Sequence, residues 1–175
     1  MTPLKKIVII GPESTGKSTL SKQLAQHYNT LWVPEYAREY LEQTGVSYLY
    51  EDLLVIAREQ RQREEMLSGH TKELLFIDTD LQVIKVWSEF VFNKCHSWIL
   101  NQVAQSNYDL YLLCNVDLPW VADNLREYPD LHTRLILYQY YKDIMINQSV
   151  PWVEISGNYE GRLMKAITAV DNISS

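Results

Sequence analysis

At 175 residues the chain is long enough for one domain, which on folding would bury roughly 70% of the surface its unfolded form exposes, so no disulfide or metal staple is needed. A net charge of −6, from 16 Lys plus Arg against 22 Asp plus Glu, has the wrong sign for gripping nucleic acid through its phosphates, and 46% apolar content excludes intrinsic disorder. Only Cys95 and Cys114 occur, far apart and in no metal-ligand spacing with the four histidines, which points to a reducing cytoplasm and away from zinc.

In chain order, residues 7 to 10 (Ile-Val-Ile-Ile) form a continuous apolar run that stops at Gly11-Pro12. Such a run reads as a central parallel strand buried on both faces, and it is too short for a signal-peptide core or a membrane span. Leu20, Leu24 and Tyr28 then recur every four residues, which predicts an amphipathic helix over 17–28. A short strand is expected at 31–34, and a charged helix over 51–67 closed by Ser68-Gly69. A buried strand at 74–77 ends at Asp78, helical stretches follow near 81–92 and 96–105, and 110–116 gives a fourth strand. Leu131, Leu135 and Tyr138 mark another helix, 152–155 a fifth strand, and Leu163, Ile167 and Val170 a closing helix. Strands alternating with helices select an α/β fold: a three-layer, doubly wound, mostly parallel five-stranded sheet. The segments least like core are 41–50 and 117–130, polar or Pro-containing connections suited to a substrate loop or a lid.

Gly11-Pro12-Glu13-Ser14-Thr15-Gly16-Lys17-Ser18 satisfies G-x-x-x-x-G-K-[ST] and stands between a buried strand and a helix start, where a phosphate-binding loop must stand. Its backbone N–H groups, with those of the helix start through Thr19, would cradle the phosphates of ATP; Lys17 would reach the β- and γ-phosphates, and Ser18 would offer its hydroxyl to Mg²⁺. Asn93-Lys94-Cys95-His96 lacks the aspartate of a guanine-reading N-K-x-D, and Asp78-Thr79-Asp80-Leu81 lacks the glycine of a D-x-x-G switch, so a GTPase or switch protein is disfavoured. Asp78, at the carboxyl edge of the sheet, is expected to assist the metal. For Asp80 two readings stand level: chemistry, or the cap of the helix beginning near Leu81. In Glu-Tyr-Ala-Arg-Glu-Tyr, Glu35 is placed to orient or deprotonate an acceptor hydroxyl and Arg38 to steady the moving phosphoryl group, the alternative being a helix start with local ion pairs. Asp78 and Asp80 remain alternatives to Glu35 as the base.

Four blocks, G-P-E-S-T-G-K-S-T-L at 11–20, E-Y-A-R-E-Y at 35–40, F-I-D-T-D at 76–80 and P-W-V-A-D-N-L-R at 119–126, resemble in sequence and order the kinase domain of NadR-type proteins, the ribosylnicotinamide kinases of bacterial NAD salvage. The resemblance implies a P-loop fold of the nucleoside and nucleotide kinase type and ATP-dependent phosphorylation of the 5′-hydroxyl of nicotinamide riboside, a small-molecule partner, with a deoxynucleoside or nucleoside-monophosphate kinase as the alternative; by charge no nucleic acid, and by the shortness of the apolar run no membrane, is expected as a partner. It implies a lid and substrate loop within 117–130, on which Arg126 closes over the phosphates, with Arg134 as a second candidate. Glu35, Tyr36 and Asp80 are assigned with it to the substrate side. Trp120 would stack on the cationic nicotinamide ring beside Asp117 or Asp123, or else anchor the lid to the body. Ser156-Gly157-Asn158 is read as a turn into the last helix, with passage beside adenine as the alternative. Only six residues precede the first strand and no H-x-G-H is present, so the expectation is a single, free-standing kinase domain over 1–175 without adenylyl transfer or repression.

Overall fold

The computed structural model describes residues 3–174 and carries twelve elements: β1 Lys5–Ile10, α1 Lys17–His27, β2 Leu31–Val33, α2 Tyr36–Thr44, α3 Tyr50–His70, β3 Leu74–Asp78, α4 Leu81–Phe92, α5 Ser97–Gln105, β4 Leu110–Cys114, α6 Leu131–Asn147, β5 Trp152–Ile155 and α7 Tyr159–Ser174. The five strands form one sheet in the order β2-β3-β1-β4-β5, every pairing parallel. The expected three-layer fold is therefore the one observed. Side chains alternate across the pleat. Val8, Ile10, Leu75, Ile77 and Leu113 pack against α6 through Leu137, Tyr141 and Met145, whereas Ile7, Ile9, Phe76, Leu110 and Leu112 pack against α1 and α7 through Leu20, Leu24, Ala166 and Val170. A third cluster, Ala37, Leu53, Ile56, Ala57, Leu81, Ile84 and Ile99, ties α2, α3, α4 and α5 into a wall beside the sheet.

Three C-terminal boundaries differ from expectation by two residues or more. α3 runs past Ser68-Gly69 to His70: Ser68 caps the Glu64 carbonyl, Thr71 Oγ1 caps that of Leu67, and Gly69 keeps a negative φ, so nothing there stops the helix. The expected connection at 41–50 shrinks because Leu41–Thr44 completes α2, whose burial of only Ala37 and Leu41 leaves little periodicity to detect; Gly45, at φ 96°, ends it. β4 stops at Cys114 rather than at 116, although the Asn115 N–H still donates to the Ile155 carbonyl at 2.8 Å. Among the described residues no helix is long and apolar enough to cross a membrane.

Candidate active site

The phosphate-binding loop is built by three departures from ordinary backbone. Gly11 sits at φ 143°, and a Cβ there would lie 2.7 Å from the Cys114 carbonyl oxygen, so the end of β4 leaves room only for hydrogen. Ser14 at φ 55° and Gly16 at φ 79° then curl the chain, and Thr15 Oγ1 and Lys17 Nζ both donate to the Pro12 carbonyl, at 2.7 and 2.8 Å. Gly16, at the N-cap of α1, offers no side chain to the first-turn N–H groups, which leaves them for an anion.

Beneath the loop lies Asp78, 2% exposed and paired with Ile9 across β1 and β3. Burial and the charge of Glu35 push its carboxyl up to about 7, while Lys17 and the Ser18 and Thr79 hydroxyls pull the other way. Gln60 of α3, buried, donates to the Pro34 and Asp78 carbonyls and accepts from the Tyr36 N–H at 2.8 Å. It thereby fixes the start of α2, and with it Glu35, against the end of β3. Glu35 is the N-cap of α2, yet its carboxylate makes no capping bond. Thr79 follows at φ 72°, a costly conformation for a β-branched residue, and turns Asp80 away from Asp78 into the interior. There Asp80 accepts from the Gln82 N–H at 3.0 Å, capping α4, and from the Tyr111 hydroxyl at 3.0 Å. Its burial pushes the carboxyl up to about 7.

The segment between Asp117 and Asp130 is free of helix and strand and is tied to three bodies. Glu13 of the loop accepts from the Glu127 and Tyr128 N–H groups, at 3.0 and 3.4 Å, and Ser14 Oγ accepts from the Val121 N–H and from Arg126, at 3.1 and 3.3 Å. Burial pushes the Glu13 carboxyl up against the pull of those two N–H donors. Arg38 of α2 donates to Asp123 at 2.7 Å, and the Tyr48 hydroxyl to Glu127 at 2.9 Å. The Leu125 N–H and Arg38 hold Asp123 below the usual carboxylate range.

Loop, α2, α4, α6 and this segment line one cavity of about 410 Å³. Gly11, Glu13, Ser14, Thr15, Gly16, Lys17, Ser18 and Thr19 of the loop share its wall with Glu35, Arg38 and Arg126 and with Val83, Trp87, Phe90, Tyr128 and Tyr141. The remaining expected residues are not brought to its walls. Asp78 lies under Ser18; Asp80 is spent on its cap and Tyr111; Tyr36 packs under the Arg63 guanidinium, 4.4 Å from its ring centroid. Asp123 holds Arg38, and Asp117 accepts from Arg162 and from the Gly157 N–H, in the turn that leads into α7. Trp120 is not among the residues that line the cavity, and Arg126 and Arg134 lie 5.9 and 5.2 Å from its ring centroid. What the sequence reading passed over is the aromatic wall. Trp87 and Phe90 sit three residues apart on α4, about two turns after the D-T-D block, a spacing that reads equally well as core.

An AAA domain family matches residues 6–162 of the chain. The trifunctional NAD biosynthesis/regulator protein NadR of Salmonella typhimurium is 26% identical over 172 residues, 95% of this chain and 42% of that protein, so the chain spans less than half the length of this curated relative. Among solved structures, a NadR protein in complex with NR superposes with a TM-score of 0.80 at 22% identity, covering 97% of this chain and 51% of that one. Thymidylate kinase from Ehrlichia chaffeensis superposes at 0.69 with 13% identity, over 96% and 99%.

Proposed function

The chain belongs to this AAA-domain family, and from that premise we propose that it is a kinase that passes the terminal phosphoryl group of ATP to the 5′-hydroxyl of nicotinamide riboside. The observation that carries the reading is the continuity of the cavity: a phosphate-binding loop, a carboxylate without a capping bond and a set of aromatic side chains line one cleft. Donor and acceptor can be held there side by side. The NadR relatives favour nicotinamide riboside as the acceptor, and a pyridinium ring suits a chamber walled by Trp87, Phe90 and Tyr128.

In this reading Glu35 orients the acceptor hydroxyl and takes its proton, while Lys17 and the loop N–H groups hold the phosphates. Arg126 lines the cavity and adds positive charge from the lid, and Arg38 lines it too while its bond to Asp123 ties the lid to α2. Mg²⁺ fits the donor set beside the loop. Asp78 is buried against the Ser18 hydroxyl, and no group of three or more His, Cys, Asp or Glu able to cage a metal occurs among the described residues. Ser18 and Asp78 would hold the ion, Asp78 directly or through water, with phosphate oxygens completing its shell. When bound it neutralises phosphate charge that Lys17 alone does not. In this reading 1–175 is one kinase domain with 117–130 as its lid, and the free Cys95 and Cys114 suit a cytoplasmic setting.

The test is to incubate the protein with Mg-ATP and, separately, nicotinamide riboside, thymidine, deoxyadenosine and thymidine monophosphate, and to weigh the products. Preferential phosphorylation of nicotinamide riboside supports the proposal. Preference for another acceptor, or hydrolysis indifferent to all of them, overturns it.

A further inference from the structure

We propose that Arg134 and Arg162 are positioning residues of the phosphate-binding loop, which turn its Thr15 and Gly16 N–H groups into the cavity by gripping the carbonyls on the opposite edges of the same peptides. Each is the fourth residue of its helix, Arg134 in α6 and Arg162 in α7, and each is buried, 3% and 2% exposed. A cation in a first turn opposes the helix dipole, so neither is there to stabilise its own helix. Arg162 donates to the Thr15 carbonyl at 2.8 Å, to those of Gly157 and Asn115 at 2.7 and 3.0 Å, and to the Asp117 carboxylate. Arg134 donates to the Ser14 carbonyl at 3.3 Å, and its buried Nε has no hydrogen-bond partner.

A trans peptide carries its C=O and N–H on opposite edges, and no cis bond occurs in the described chain. Holding the Thr15 carbonyl toward Arg162 therefore turns the Gly16 N–H the other way, and holding the Ser14 carbonyl toward Arg134 does the same to the Thr15 N–H. The other way is the cavity: Thr15 and Gly16 line it, and neither arginine does. Ser14 at φ 55° is a conformation with a local cost that something outside the loop must offset. Two guanidiniums approaching from two helices supply that restraint, and they fix the amides before any phosphate arrives. Lysine, a single point charge, does not reproduce a fork that serves four acceptors.

The proposal rests on the loop holding a nucleotide's phosphates, which binding of ADP to the unsubstituted protein tests separately. The experiment measures Kd for ADP, Mg-ATP and pyrophosphate by calorimetry on Arg162→Lys and Arg134→Lys, with melting curves to show that each is folded. Both variants should weaken all three ligands by about tenfold, the effect of one misaligned hydrogen bond. KM for ATP should rise while kcat at saturation stays within about twofold, because the amides grip ground state and transition state alike. A folded variant that binds ADP within twofold of the parent overturns the proposal for that residue. So does a loss in Arg134→Lys confined to ATP, which would put its guanidinium on the terminal phosphate instead. Should Arg162→Lys not fold, Asp117→Asn, which loosens the same guanidinium, decides: ADP weakened by about threefold supports the role, and unchanged affinity overturns it.

Discussion

Replacing Trp87 by Leu separates the acceptor side of the cavity from the donor side. The indole lines the cavity, packs edge-on to Tyr48 with ring centroids 4.7 Å apart, and donates from Nε1 to the Tyr48 hydroxyl at 2.8 Å. Stacking of a base on an aromatic face contributes roughly 1–3 kcal/mol, and leucine keeps part of the apolar contact, so a loss of about 1–2 kcal/mol falls on the acceptor alone. That is a rise of about 5- to 30-fold in acceptor KM. The lost edge pair and hydrogen bond cost about another 1–2 kcal/mol of fold stability, or roughly 2–8 °C in Tm for a chain of this size. The hydrogen bond and the ring contact of Trp87 both go to Tyr48 and not to the loop, so Kd for Mg-ATP should stay unchanged. Initial rates with acceptor varied at saturating Mg-ATP, together with calorimetry of ATP binding, measure both quantities. An unchanged acceptor KM, or ATP affinity falling in step with it, refutes the assignment of this wall to the acceptor.

Glu35→Gln should lower the transfer rate by on the order of a hundredfold or more while leaving ATP binding intact, as read by single-turnover rates and calorimetry; equal losses in both would count against Glu35 as the base. Gly11→Ala forces a side chain into a φ of 143° with its Cβ 2.7 Å from the Cys114 oxygen. The conformation alone costs about 1–3 kcal/mol, so Tm should drop by roughly 5 °C or more, and a melt within a degree of the parent contradicts the packing argument. Asp80 tests the buried acids. Its carboxyl titrates at about 7 in the folded chain, against roughly 3.9 in an unfolded one, so between those values the native state holds a proton that the unfolded state releases. Stability contributed by the neutral form is complete below about pH 4 and is lost as pH rises through 7. Asp78 titrates with the same sign, so Asp80→Asn should remove about half of the fall in Tm between pH 5.5 and 8. A slope equal to that of the parent would count against burial as the cause.

The sheet was legible because its signal is local. Four consecutive aliphatics before Gly11, and the runs ending at Asp78 and Cys114, are what strands buried on both faces must look like, and the loop motif between a strand and a helix leaves few alternatives. α2 was obscure because it buries two residues only. The substrate side was harder for a different reason. Trp120, Asp117 and Asp123 carry the residue types that recognise a cationic ring, but which partner claims each depends on contacts over long sequence distances, such as Arg162 to Asp117 and Arg38 to Asp123. Trp87 and Phe90 carry the spacing of ordinary core and become cavity wall only because α6 and the lid stand opposite them. Gln60 gave no signal at all, since a glutamine in a charged helix resembles its solvated neighbours until its contacts to β2 and β3 are seen.

The central claim, that one cavity brings a triphosphate and an alcohol together, is tested most directly by following phosphorus resonances of a mixture of the protein, Mg-ATP and nicotinamide riboside. A phosphomonoester signal should grow in step with ADP while inorganic phosphate stays flat. Conversion of ATP to ADP and inorganic phosphate with no monoester, or a spectrum that does not change, would contradict it.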